Sequence, residues 1–129
     1  MSLVRLAPVP THQKSLLIVD DDPDIREILQ EAFLDQGFVV TTAANGEAAL
    51  RALTSIHPDV IVLDVHMPIM GGVAFAVAYQ ARPGPHAPIV VFSTAARSPG
   101  VRAIKPASVL SKPCDLDIII ETVERQLSA

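Results

Sequence analysis

Short, continuously apolar runs alternate along the chain with segments whose apolar residues recur at helical spacing. Leu16-Leu17-Ile18-Val19 and Val60-Ile61-Val62-Leu63 contain no polar position, as expected of strands covered on both faces. Phe38 to Ala43 and Ile89 to Phe92 read as two more strands, and Val109-Leu110 with Ser108 and Ser111 as a short fifth. Between the first two runs, Ile25, Ile28, Leu29, Ala32 and Phe33 form a helical stripe, with Pro23 suited to its first turn and Gly37 to its exit. Asn45-Gly46 makes a turn and cap before Ala48, Ala49, Leu50 and Leu53, and Val73 to Ala81 gives an alanine-rich third helix. Pro99, Gly100 and Pro106 interrupt the stretch from Thr94 to Ala107 and leave room for only a short or broken fourth helix. Leu116, Ile119, Ile120, Val123 and Leu127 form the stripe of a final one. Such alternation predicts an α/β fold, a doubly wound five-stranded parallel sheet with helical crossovers. Residues 1–14, with two prolines and no sustained period, read as a flexible N-terminal arm, and residues 15–129 as the folded domain.

Composition narrows the function classes. At 129 residues, half of them apolar, the chain makes one compact domain. The net charge of −4 and the absence of a basic cluster argue against direct nucleic-acid binding. A lone cysteine, Cys114, forms no internal disulfide or zinc site and points to a cytoplasmic protein. No apolar run reaches the length of a membrane span.

Chemistry collects where the strands end. With ordinary crossovers, the C-terminal ends lie on one edge, where open α/β sheets bind ligands. Strand one ends at Asp20 and Asp21, strand three at Asp64, strand four at Ser93 or Thr94, and strand five at Lys112. Carboxylates gathered this closely repel unless a cation sits among them, and their hard oxygens suit Mg²⁺. Asp22, just before Pro23, reads instead as a helix cap. His12, His57 and His86 show no ligand spacing, and Cys114 reads as a small buried hydrophobe. No phosphate-binding glycine loop or Ser-His-Asp arrangement is present.

Leu17-Ile18-Val19-Asp20-Asp21, the stretch from Val62 to Gly72 with Asp64, Met67 and Pro68, and Leu110-Ser111-Lys112-Pro113 together resemble the receiver domain of two-component response regulators. The likeness runs from about Ser15 to Ser128. It implies the flavodoxin-like strand order 2-1-3-4-5. It also implies that Asp64 accepts a phosphoryl group from a sensor histidine kinase or phosphotransfer protein, with Mg²⁺ as cofactor. Asp21 would bind the metal directly, Asp20 through a water, Asp64 beside them, and His66 through its backbone carbonyl. Lys112 would pair with the phosphoryl group, its bond to Pro113 being cis, and Ser93 would donate its hydroxyl. The reader would be a downstream effector protein or fused output domain, and the domain would catalyse only its own phosphorylation and dephosphorylation.

The sequence departs from the family at Val109, three residues before Lys112, where an aromatic residue usually reports phosphorylation. Together with the interrupted fourth helix, this keeps open a phosphorylation-independent scaffold of the same fold. A Mg²⁺-dependent phosphohydrolase is the weaker competitor, because His66 stands where its acid–base carboxylate belongs. The uncharged third helix has two readings, an apolar contact with a partner or a second copy as a homodimer, and alanine merely tolerating exposure.

Overall fold

The computed structural model describes residues 13–128. Five strands, β1 (Ser15–Val19), β2 (Val39–Ala43), β3 (Val60–Leu63), β4 (Ile89–Ser93) and β5 (Ser108–Ser111), form one sheet in the order β2-β1-β3-β4-β5. Every adjacent pair is parallel. The helices are α1 (Pro23–Asp35), α2 (Gly46–Ala52), α3 (Gly72–Gln80), α4 (Val101–Ile104) and α5 (Leu116–Ser128).

The two-sided burial behind the continuous apolar runs is visible residue by residue. Leu17, Val19, Ile61, Leu63 and Val91 face the core under α2, α3 and α4, while Leu16, Ile18, Val60, Val62, Val90 and Phe92 face the core under α1 and α5. Successive residues of a strand point to opposite faces, so neither face tolerates a polar position.

Local chemistry sets the helix ends. The Asp22 side chain accepts from the Asp24 N–H at 2.9 Å, with Pro23 in the first turn, which makes Asp22 the cap read from the sequence. Asn45 caps α2 by accepting from the Ala48 N–H at 2.8 Å. Gly37 leaves α1 at a φ of 87°, a backbone region that glycine enters without steric penalty. The fourth helix is a single turn, ended by Lys105 at a φ of 53° and then Pro106.

Several boundaries differ from the sequence pattern for tertiary reasons. Phe38 does not join β2, because its N–H closes α1 on the Phe33 carbonyl at 3.0 Å and its ring packs edge-on against Phe33. Leu116 rims α5 in the open instead of completing the buried stripe. Cys114, expected to be buried, is only half-buried against the α1/α5 core. Of the N-terminal arm, residues 1–12 lie outside the described residues. Lys14 is tied to the sheet, its carbonyl accepting from the Val39 N–H at 2.8 Å.

Candidate functional site

Strand register decides what meets at the C-terminal edge. Val19 pairs with Leu63, Leu63 with Val91 and Ser93 with Ser111, so the residues that follow the strands converge. Asp20 and Asp64 are each buried immediately beyond β1 and β3, and Asp21 is exposed beside them. One carboxylate oxygen from each of Asp20, Asp21 and Asp64 lies within 4.8 Å of the others. Among the described residues, this is the one grouping of side chains able to hold a metal ion.

Backbone amides and one ammonium hold the acidic group in place. Asp20 Oδ1 accepts from the Asp22 N–H at 2.9 Å, and Asp64 Oδ1 accepts from the Val65 N–H at 2.8 Å. Lys112, after β5, reaches between them. Its Nζ donates to Asp20 Oδ2 at 2.7 Å and to Asp64 Oδ2 at 3.4 Å. The bond between Lys112 and Pro113 is cis, as the resemblance implies.

Electrostatics follow from this packing. Burial pushes the Asp20 carboxyl above its ordinary value, with the nearby Asp64 charge adding to the rise, against the hydrogen bonds from Lys112 and Asp22. Burial works to lower Lys112, but the hydrogen bond and charge of Asp20, joined by those of Asp64, outweigh it and hold the ammonium above the ordinary lysine range. An acidic group that keeps one cation this firmly is chemically suited to a second. Three hard oxygen donors at these separations fit Mg²⁺ sharing its shell with water.

The remaining candidates sit as follows. Ser93 is buried and Thr94 exposed, and Ser93 Oγ accepts from the Ala95 N–H at 3.0 Å, which leaves its hydroxyl hydrogen free to donate. The His66 imidazole is exposed and outside the acidic grouping. His86 stacks edge-on against Tyr79 and bonds the Arg82 carbonyl at 2.7 Å, far along the chain from the strand ends that carry the acids. His12 lies outside the described residues.

Two features of the site escape the sequence pattern. Gly46 donates its N–H to the Met70 carbonyl at 2.8 Å, and Gly72 lies against the Asp64 backbone so closely that a Cβ would collide with it. The loop after Asp64 is thereby locked to α2 and β3. Arg26, one turn into α1, donates from its guanidinium to the Asp20 carbonyl at 2.7 Å. The only hint in the sequence is a cation six residues after Asp20.

With this geometry established, similarity to known proteins is informative. A family model described as the response regulator receiver domain matches residues 16–124. The regulatory protein AtoC of Escherichia coli is 35% identical over 115 residues, covering 87% of this chain and 25% of AtoC. The DNA-binding transcriptional regulator NtrC of the same species is 35% identical over 114 residues, covering 86% of this chain and 24% of NtrC. The chain thus spans about a quarter of the length of these relatives. Among solved structures, the chemotaxis response regulator CheY4 of Vibrio cholerae superimposes with a TM-score of 0.81 at 29% identity, over 89% of this chain and 99% of that one. The response regulator protein TrrA of Thermotoga maritima, solved in complex with Mg²⁺-BeF, gives a TM-score of 0.76 at 29% identity, over 88% of this chain and 98% of that one.

Proposed function

The chain belongs to the response regulator receiver domain family, and from that membership we propose that Asp64 is its phosphoacceptor, charged from a phosphohistidine in a Mg²⁺-dependent reaction. The observation that carries this reading is the convergence of Asp20, Asp21 and Asp64 with Lys112 bridged across two of them.

Each residue has a task set by its chemistry. An Asp64 carboxylate oxygen attacks phosphorus, the P–N bond of the donor breaks, and the imidazole nitrogen leaves with the electron pair and takes a proton from water. The product is an acyl phosphate. Asp21, Asp20 and Asp64, with the carbonyl of His66, are the residues to hold Mg²⁺, which when bound offsets the charge on the transferred group. Lys112 exchanges its carboxylate partners for a phosphoryl oxygen. The Ser93 hydroxyl donates its free hydrogen to another. In dephosphorylation a water oxygen attacks phosphorus, the bond between phosphorus and the Asp64 oxygen breaks, and inorganic phosphate leaves as the carboxylate is restored, so the domain catalyses only its own phosphorylation and dephosphorylation.

The donor is a sensor histidine kinase or phosphotransfer protein in the cytoplasm, and the reader is an effector protein or output domain. AtoC and NtrC, much longer than this chain, support a place within or beside such regulators. Among the described residues, no helix is long and apolar enough to cross a membrane.

Intact-mass measurement after adding acetyl phosphate tests the reading. The wild type gains one phosphate, labile to base, only with Mg²⁺ present. Asp64→Asn, which keeps an oxygen for the Val65 N–H, folds and gains none. A second reading, the phosphorylation-independent scaffold, is favoured by Val109, 43% exposed on β5, and by the one-turn α4. A wild type that stays unmodified selects it.

A further inference from the structure

We propose that Arg26 is a positioning residue for the metal-binding acids, its side chain clasping the backbone carbonyl just before Asp21 from the first turn of α1. The inference rests on the assignment of Asp20 and Asp21 as metal ligands and extends it to a residue outside the acidic group.

Two bonds from one residue span the acidic turn. The Arg26 backbone N–H makes the ordinary first bond of α1, to the carbonyl of its cap Asp22 at 3.1 Å, and its guanidinium adds a side-chain bond to the Asp20 carbonyl at 2.7 Å. Asp21 lies between those two carbonyls. Its carboxylate is exposed, so packing does little to fix it. The backbone that carries it is the available handle: the first turn of α1 holds the Asp22 end, and the Arg26 side chain holds the Asp20 end.

The Asp20 carbonyl has reason to need this partner. The Asp20 N–H still donates to Ala43 across the sheet at 3.1 Å, and the Val19 carbonyl accepts from the Asp64 N–H at 2.9 Å. Beyond that rung β1 has ended, and the Asp20 carbonyl takes its hydrogen bond from the Arg26 side chain, next to Asp21, whose own carboxylate belongs to the acidic group. A half-buried guanidinium supplies a charge-assisted bond there and lowers the repulsion around it. Because α1 is anchored by Leu29 and Phe33 in the core, the clasp links the acidic turn to a rigid element.

The charge of Arg26 and its geometry have opposite effects on a metal ion. As a neighbouring cation it repels Mg²⁺, and as a clasp it preorganises the ligands. Within hydrogen-bond range of the turn, geometry is the stronger effect, since partners that orient ligands typically change metal affinity by about tenfold or more when removed.

The test is Mg²⁺ titration of the full chain without any phosphodonor, followed by calorimetry and by amide NMR shifts, beside thermal unfolding of the metal-free proteins. Arg26→Met keeps the helical stem and the backbone bond and loses the guanidinium donors, and its Mg²⁺ dissociation constant rises about tenfold. Arg26→Lys, with an ammonium able to reach the same carbonyl, recovers most of the affinity. Tighter Mg²⁺ binding in Arg26→Met would show that charge repulsion prevails and overturn the proposal. An unchanged affinity, with or without a lowered unfolding temperature, would also overturn it, by making Arg26 purely structural. Should Arg26→Met fail to fold, Arg26→Gln takes its place: weaker Mg²⁺ binding than in Arg26→Lys supports the clasp, and equal or tighter binding overturns it. A wild type that binds no Mg²⁺ would sink the metal-ligand assignment as well, which separates that failure from the failure of the clasp alone.

Discussion

The turns after β1 and β3 are fastened across the fold by hydrogen bonds, whereas those of the segment from Thr94 to Ala107 run largely within it, its hold on the rest coming from Val101 and Ile104 buried in the core. Around Asp20 and Asp64, hydrogen bonds join different elements: Asp20 to Ala43, Asp64 to Val19, Gly72 to Val65, Gly46 to Met70 and Arg26 to Asp20. In the other region most run three residues along the chain, Ser98 to Ala95, Val101 to Ser98, Ala103 to Gly100 and Lys105 to Arg102. Its ties to other elements include Gln80 Nε2, donating to the Ile104 carbonyl at 2.6 Å, and the Ala107 N–H, donating to the Ile89 carbonyl at 2.8 Å. Long-range bonds fix where a group stands relative to distant groups, while local bonds fix only the shape of a turn. The proposed phosphoryl chemistry needs the first kind of order, because Asp64, the acids beside it and Lys112 follow different strands.

Paired glycine substitutions give the sharpest way to break this contrast. At Gly72 an added Cβ meets the backbone of Asp64 and Val65, which has no room to yield. Gly72→Ala is expected to lower the unfolding free energy by about 3 kcal/mol in urea titration. At Gly100 the nearest atom is Val73 Cγ2, 3.2 Å away on a movable side chain. Gly100→Ala is expected to change stability by less than about 1 kcal/mol. Equal losses at both positions would contradict the difference between the regions.

The next effect concerns the cation on the ordered side. Lys112→Met strands the buried Asp20 carboxylate, and the metal-free protein is expected to lose about 2 kcal/mol at neutral pH. The pH dependence carries a sign. Lys112 is held above its ordinary value of 10.5, so its contribution is complete below that value and is lost as pH climbs through the folded one. Stability of the metal-free wild type should therefore fall more steeply above pH 10.5 than that of Lys112→Met. Parallel alkaline limbs would show that the ion pair contributes nothing to stability.

Smallest is the effect expected from Val109→Tyr, which places an aromatic ring on the loosely held side. Val109 is 43% exposed, and the substitution should shift stability by about 0.5 kcal/mol or less. The rate of phosphate uptake from acetyl phosphate should be unchanged, since neither partner of Lys112 is touched. A changed rate would show that the two regions are coupled through β5.

Much of this was legible in the amino-acid order because it depends on neighbours in sequence. Continuous apolar runs marked strands buried on both faces, Asp22-Pro23 and Asn45-Gly46 marked helix starts, and Pro99, Gly100 and Pro106 marked a helix reduced to one turn. The acids and Lys112 were legible too, because strand ends in a parallel sheet share an edge whatever the details of packing. Tertiary structure alone decided how they meet. Lys112 sits 2.7 Å from Asp20 and 3.4 Å from Asp64, Ser93 turns inward while Thr94 stays in water, Met70 closes onto Gly46, and Arg26 reaches back to Asp20. Each of these contacts is set by register and by the approach of separate elements, quantities that sum over the whole core and have no local pattern to announce them.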